Sequence, residues 1–286
     1  MKKLIAGLLP ERLRSRVTGE PRAGRVAVVR LSGVIGANAP LRNTLNLESV
    51  AEALEAAFSL KRASAVALLI NSPGGSPVQS SLIFKRVRAL AEEKKLPVYA
   101  FAEDVAASGG YMLACAADEI YADESSIIGS IGVISAGFGF TELISKLGIE
   151  RRVHTSGESK SMLDPFKPEN ADDVMRLEAL QKDVHDNFKA LVRGRRGTRL
   201  ADAPEIFTGE FWAAKAALQQ GLIDGIGDLR SVLRAKFGEK VQLKVIGGRK
   251  GLLQRIPGFR SQAASDAMES LISAMESRSL WSRFGL

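Results

Sequence analysis

The residues best suited to chemistry in this sequence are a serine and the glycines around it. Asp104-Val-Ala-Ala-Ser108-Gly-Gly-Tyr-Met-Leu-Ala-Cys115 follows the apolar run Pro97-Val-Tyr-Ala-Phe-Ala102 and leads into small, apolar residues that suit a buried helix from Tyr111 to Ala117. A serine where a strand turns into a buried helix can hold its hydroxyl out at the turn. Beside it stand N–H groups of the first helical turn, which have no intrahelical acceptor. Such donors, with the helix dipole behind them, favour negative charge, and an attacked carbonyl develops negative charge. Gly109 and Gly110 leave room for a substrate backbone to come close. Taken alone, a small residue before Gly-Gly is also the composition of a tight packing turn, so the weight of the reading rests on the rest of the chain.

A second glycine turn, Asn71-Ser-Pro-Gly-Gly-Ser76, follows the apolar run Ala65-Val-Ala-Leu-Leu-Ile70. In a parallel α/β sheet, ligands sit outside the carboxyl ends of the strands, where both turns fall. The N–H groups of Gly75 and Gly109 can converge there on one oxygen as an oxyanion hole. Read by itself, Pro-Gly-Gly is an ordinary type II turn. A serine nucleophile also needs a base. The two histidines read as surface or packing residues: His154 lies beside two arginines, and His185 lies in a polar part of a long helical stretch. The other route is a lysine whose ammonium is desolvated, so that neutral amine is available near neutral pH.

The elements that must position these groups alternate. Strands are expected at Arg25–Ile35, Ala65–Ile70, Pro97–Ala102, Glu119–Ala122, Ile131–Ser135, Arg151–Thr155 and Val241–Ile246. Helices are expected from the Asn46 cap to about Arg62, from Pro77 to about Lys95, at Thr141–Leu147, from the Asn170 cap to about Arg193, from Glu210 to Gln220 and at Val232–Phe237. The long helix places Val174, Leu177, Leu180, Val184, Phe188 and Leu191 on one face. Such alternation gives right-handed βαβ units and a mostly parallel sheet covered by helices on both faces.

Composition narrows the functional classes. The chain has 286 residues, enough for one large domain, with one cysteine and two histidines. A single cysteine excludes an intrachain disulfide framework, and so few thiol and imidazole groups leave no basis for a zinc or iron–sulfur centre; no metal or cofactor is expected. The net charge of +8 is concentrated at the ends: residues 1–30 carry eight Lys and Arg against two acids, and residues 241–286 carry seven against three. The body is nearly neutral, which argues against nucleic-acid binding by a basic folded face. No apolar run approaches the roughly 20 residues of a membrane span, and the apolar part of Leu4–Leu9 is shorter than the h-region of a signal peptide. The expected location is the cytoplasm, with a peripheral place at the inner membrane left open. The C-terminal tail sets Met268, Leu271, Ile272, Met275, Leu280, Trp281 and Phe284 at near-helical spacing among basic residues. It suits a membrane surface and a neighbouring subunit equally well.

Four segments in order carry a resemblance. Ala-Ala-Ser108-Gly-Gly-Tyr, Asn71-Ser-Pro-Gly-Gly-Ser, Ile128-Gly-Ser-Ile-Gly-Val133 and Ser156-Gly-Glu-Ser-Lys160-Ser-Met-Leu-Asp-Pro-Phe166 resemble those of the bacterial signal peptide peptidase A (protease IV) family in its short, single-domain form. Thr208 to Asp224 resembles that family's region after the long helix. The resemblance covers roughly residues 25–240 and implies a Clp protease/crotonase-like fold. It implies Ser108 as nucleophile, Lys160 as general base, Ser130 as the hydroxyl that orients the lysine, and Gly75 and Gly109 as oxyanion donors. Burial among small residues would lower the Lys160 pKa, while Asp164 reads as an exposed turn acid. It also implies a homo-oligomeric ring acting on hydrophobic or unfolded peptides such as remnant signal peptides. The expected layout is a basic segment at 1–24, a peptidase domain at 25–240, and a last strand with an amphipathic tail at 241–286. Two other readings stand beside it: a crotonase-like acyl-CoA enzyme, with Glu103 and Asp104 as the only nearby carboxylates, and a non-catalytic membrane-associated scaffold of the same fold.

Overall fold

A computed structural model describes residues 24–36, 44–247 and 278–286. Among them eight strands form one sheet. Its main path runs β6 (Phe211–Ala213), β5 (Ile127–Gly129), β3 (Val98–Ala107), β2 (Ala65–Ser72), β1 (Arg25–Ser32) and β8 (Gln242–Ile246). β4 (Glu119–Ala122) pairs with β3 and with β7 (Gly225–Ile226). Every pairing is parallel except β5 with β6. The central strands are apolar almost throughout, as strands covered on both faces must be.

One face carries the main core. Against it pack α1 (Leu47–Phe58), α2 (Pro77–Lys94), the short α3 (Gly109–Ala114), the C-terminal half of α5 (Ala171–Arg196) and α6 (Ala214–Gln219). Asn46 starts α1 as expected: its side chain accepts from the Ser49 N–H, and the Ser49 hydroxyl accepts from the Asn46 N–H. The other face is covered at one end by α7 (Leu229–Phe237), whose Leu233 is fully buried against Val26, Val28 and Phe101. At the other end Trp281 and Phe284 pack over Val105, Ala107 and Ile127, and the Phe284 ring meets Phe211 edge-on at 5.0 Å. The rest of the expected tail helix, from Ala263, lies outside the described residues.

β3 organises the sheet. Its register against β2 jumps from Ile70↔Ala102 to Ser72↔Ala106, so two extra residues bulge out of β3. The Asn71 side chain fills the gap, accepting from the Val105 N–H at 3.3 Å and donating to Asp104 at 2.6 Å. On its far side β3 pairs with β4 below the bulge and with β5 above it. The strand thus continues past the expected end at Ala102 and delivers Ser108 at its tip.

Four expectations are corrected. Ile131–Ser135 is not a strand: the chain leaves the sheet after β5, and among the described residues no partner strand lies beyond. Arg151–Thr155 has no strand neighbour either and is irregular. The segment from Glu210 is first a strand, because Phe211 and Trp212 pair with β5, and turns helical only at Ala214. The long helix buries Phe188, Val192 and Arg196, but Leu180 is 58% exposed, so the apolar stripe of its N-terminal half meets no core.

Between β5 and α5 the chain forms an outlying arm. α4 (Thr141–Lys146) has no buried residue, and Ile134, Phe138, Leu147 and Ile149 are all more than half exposed. The arm has internal order of its own. The Phe140 N–H donates to the Pro165 carbonyl at 2.7 Å, the Phe140 and Phe166 rings lie 5.6 Å apart, and Arg151 sits over Phe166. Asp164 is not an exposed turn acid: its side chain is only 5% accessible, bonded to the Phe166 N–H and Arg151, and those partners hold its carboxyl below the usual range.

Candidate active site

Ser108 sits at the tip of β3 with φ 52° and ψ −122°, a backbone region that a side chain enters only under constraint. The constraint is visible at both ends. Its N–H donates to the Gly129 carbonyl at 2.8 Å, and its carbonyl accepts from the Met112 N–H at 3.1 Å. The hydroxyl makes no capping bond to the helix it precedes, and the residue is half-buried.

Glycines are required around it by space. A Cβ on Gly74, at φ +100°, would lie 2.7 Å from the Ser108 Cβ and 2.8 Å from the Gly109 nitrogen. A Cβ on Gly109 would lie 2.3 Å from the Ser80 hydroxyl, and one on Gly110 2.3 Å from the Ser72 carbonyl. The two glycine turns are thus packed backbone to backbone. Ile35 fixes the direction of the first. Its N–H donates to the Gly74 carbonyl and its carbonyl accepts from the Ser76 N–H, both at 2.8 Å, so it grips the chain on either side of Gly75. In such a parallel bridge the N–H of the bridged residue faces the opposite way. Gly75 therefore turns its N–H away from Ile35, one residue from the Gly74–Ser108 contact.

Ser130 stands beside Ser108, because the β3–β5 ladder ends at Ala107↔Gly129. It is buried, also at φ 52°, and its N–H donates to the Glu210 carbonyl at 2.6 Å. Ser108, Ser130, Gly75 and Gly109 are therefore gathered at one corner. Lys160 is not. It lies exposed on a 3-10 turn, Glu158–Ser161, in the outlying arm, and among the described residues its ammonium has no hydrogen bond or ion pair. The small residues around it do not shield it within this chain. A groove of about 1370 Å³, lined by Phe138, Phe140, Met162, Leu163, Asp173 and Arg176 among others, also belongs to the arm.

The sequence reading gave no role to Gly74, Ser72 or Ser80, and took His185 for a surface or packing residue. Ser72 donates to the Gly33 carbonyl at 2.7 Å and accepts from the Gly74 N–H, and thereby shapes the turn. Gly74 and Ser72 stand inside the motif already singled out, whereas nothing local marks Ser80 or His185. Below the site, Arg195 donates to the carbonyls of Cys115 and Ala117, both at 2.8 Å, and Arg88 to that of Ala116. These bonds satisfy the carbonyls that end the Ser108-led helix. The Cys115 thiol is buried there, which pushes its pKa up to about 12.

A constrained serine at a strand tip, two glycine turns and a mostly parallel sheet define a fold of the Clp protease/crotonase type. Comparison with known proteins agrees. Residues 90–243 match the model of peptidase family S49, and the chain belongs to that family, in the branch that resembles signal peptide peptidase A. It is 31% identical over 231 residues to a putative signal peptide peptidase SppA of Enterococcus faecium, a match covering 78% of this chain and 66% of that protein. It is 50% identical over 293 aligned positions to a Brucella abortus protein named as the Na(+)/H(+) antiporter NhaA, covering 99% of this chain but only 39% of that protein. The chain thus spans about two fifths of that much longer relative. In structure it is similar to a lysine-to-alanine mutant of the 1510-N membrane-bound stomatin-specific protease in complex with a substrate peptide. The TM-score is 0.50 at 14% identity, covering 89% of this chain and all of that one, a likeness of fold. Among the described residues no helix is long and apolar enough to cross a membrane.

Proposed function

We propose that the chain is a serine endopeptidase with a Ser108/Lys160 dyad, acting on hydrophobic or unfolded peptides such as remnant signal peptides. The observation that carries the reading is Ser108 itself: a constrained serine at a strand tip, walled by glycine backbone, whose hydroxyl makes no hydrogen bond among the described residues. In this mechanism the neutral Lys160 amine takes the Ser108 proton as the oxygen attacks the peptide carbonyl, while Ser130 orients the amine. The N–H groups of Gly75 and Gly109 receive the oxyanion. The lysine then protonates the leaving amine, and water releases the acyl group from Ser108.

The dyad closes when Lys160 is carried to the Ser108 corner. The arm is suited to being covered, since its apolar side chains stand in solvent, and a homo-oligomer would cover them. The cytoplasm or the periphery of the inner membrane remains our proposed location, and the amphipathic ends are the proposed lipid contact. The acyl-CoA reading finds no support, because its carboxylates are engaged: Glu103 pairs with Arg30 at 2.5 Å, and Asp104 with Asn71.

The test is hydrolysis of a quenched apolar peptide together with fluorophosphonate labelling from pH 6 to 10. Turnover should fall by about a thousandfold or more in Ser108→Ala and in Lys160→Ala. Labelling should rise toward alkaline pH. Full turnover in Lys160→Ala would reject the dyad, and full turnover in Ser108→Ala would reject the nucleophile.

A further inference from the structure

The arm leaves the body at one point and returns at another, and the two points touch. On the way out, Gly129 holds the Ser108 N–H through its carbonyl and Ser130 donates to Glu210. Ile131 is fully buried, and Gly132 lies so close to Gly209 that a Cβ there would be 3.0 Å from its Cα. From Ile134 through Phe140 every residue is exposed. On the way back, the first half of α5 faces solvent, and its docked stripe is His185, Phe188, Val192 and Arg196, three or four residues apart on one face. His185 opens that stripe. Its Nε2 lies 3.1 Å from the Ile131 carbonyl, and imidazole can serve that carbonyl only as an N–H donor.

We infer that His185 is a positioning residue, a clasp that ties the returning helix to the outgoing chain at the neck of the arm. The clasp acts on two things that catalysis needs. It holds the Ile131–Gly132 peptide, whose N–H donates to the Ser130 carbonyl at 3.0 Å, and through that bond it bears on the strained Ser130 conformation and its hydroxyl direction. It also fixes the angle at which residues 132–184 leave the body, and Lys160 lies within them. A residue that acts through the placing of two others should change turnover more than substrate affinity. The inference rests on the peptidase reading for its kinetic consequence but not for the contact itself.

The experiment compares the full chain with His185→Leu, which fills similar space without a donor, and His185→Gln, which keeps an N–H. His185→Leu should lower kcat about tenfold with KM little changed, since misplacement of catalytic groups by even 1 Å is costly. Amide exchange in a peptide covering 128–135 should quicken, while that of 98–107 stays as in the parent. His185→Gln should recover most of both. Should His185→Leu fail to fold, His185→Asn, whose shorter amide falls short of Ile131, takes its place. Parent-like kcat and exchange in the donor-less variant would overturn the clasp, as would a His185→Gln variant no better than His185→Leu. If the parent shows no Ser108-dependent turnover, the peptidase reading fails, and the exchange comparison alone still decides for or against the clasp.

Discussion

Gly74→Ala is the substitution whose effect the structure defines most sharply. The added methyl is a single carbon, yet it would sit 2.7 Å from the Ser108 Cβ, 2.8 Å from the Gly109 nitrogen and 3.0 Å from the Ala107 carbonyl oxygen. Nonbonded carbons rest at about 3.5–4.0 Å, so the nucleophile or the glycine turn must yield by about 1 Å. None of the three opposing atoms is the far end of a flexible side chain. The φ of +100° adds a conformational cost of about 1–3 kcal/mol, because an alanine rarely enters that region. The expected result is a folded protein, destabilised by about 2–4 kcal/mol, whose kcat is at least a hundredfold lower. Gly137→Ala is the matched control: it lies in the arm with nothing within 4 Å of the added carbon, and should leave stability and kcat unchanged. Denaturant unfolding gives the stability and the quenched peptide assay gives kcat. If Gly74→Ala retains kcat within twofold of the parent, the wall of glycine backbone around Ser108 is not what holds the reacting oxygen in place.

Three further outcomes follow from the packing. Phe284→Ala empties a site 7% exposed against Phe211, Val105 and Ala107, and should cost about 3–5 kcal/mol by denaturant unfolding; a loss below 1 kcal/mol would mean the tail does not close that face. Burial pushes the Asp224 carboxyl up, but its bonds to Arg196 at 2.7 and 3.0 Å, the Ile120 N–H and Arg199 outweigh it, so the net direction is downward. Its stabilising contribution is therefore complete above an unfolded-chain pKa of about 4 and is lost as pH falls through the lower folded value; Asp224→Asn should flatten that acid limb in a series of melts from pH 2 to 6. Cys115, with a thiol pushed up to about 12, should resist iodoacetamide at pH 8 in the native chain and react on unfolding; native labelling at the rate of a free thiol would contradict the burial.

The body was legible in the sequence because its signals are local. Asn46 and Asn170 cap helices where the pattern placed them, the helix expected from Pro77 begins there, and the continuous apolar run from Ala65 is a central strand. The serine and both glycine turns were legible because glycine is demanded there by contact. What escaped was set by partners distant in sequence. Ile131–Ser135 has strand composition but no neighbour to bond, while Ile127–Gly129 is a strand because Ala107 and Trp212 flank it. The periodic first half of α5 promised burial, yet among the described residues it meets only the arm and none of the sheet's core. Lys160 was read as shielded from its small neighbours alone, whereas shielding depends on what the arm meets. His185 was read as a packing residue; its position on a docked face supports that, but its bond to a backbone 54 residues away has no local signature.

The bulge in β3 divides labour along one strand. Its lower part belongs to a corner built with β4 and β7 and locked by Asp224, and its upper part to a corner built with β5 and β6. Because Asn71 bridges the interruption with a side chain rather than a ladder bond, the two corners meet at a soft joint. Substitutions in the lower corner can thus alter the melting point while sparing reactivity. By the same reasoning, residues 104–132 and 208–213 form a natural pair of segments to exchange together between relatives of differing cleavage preference.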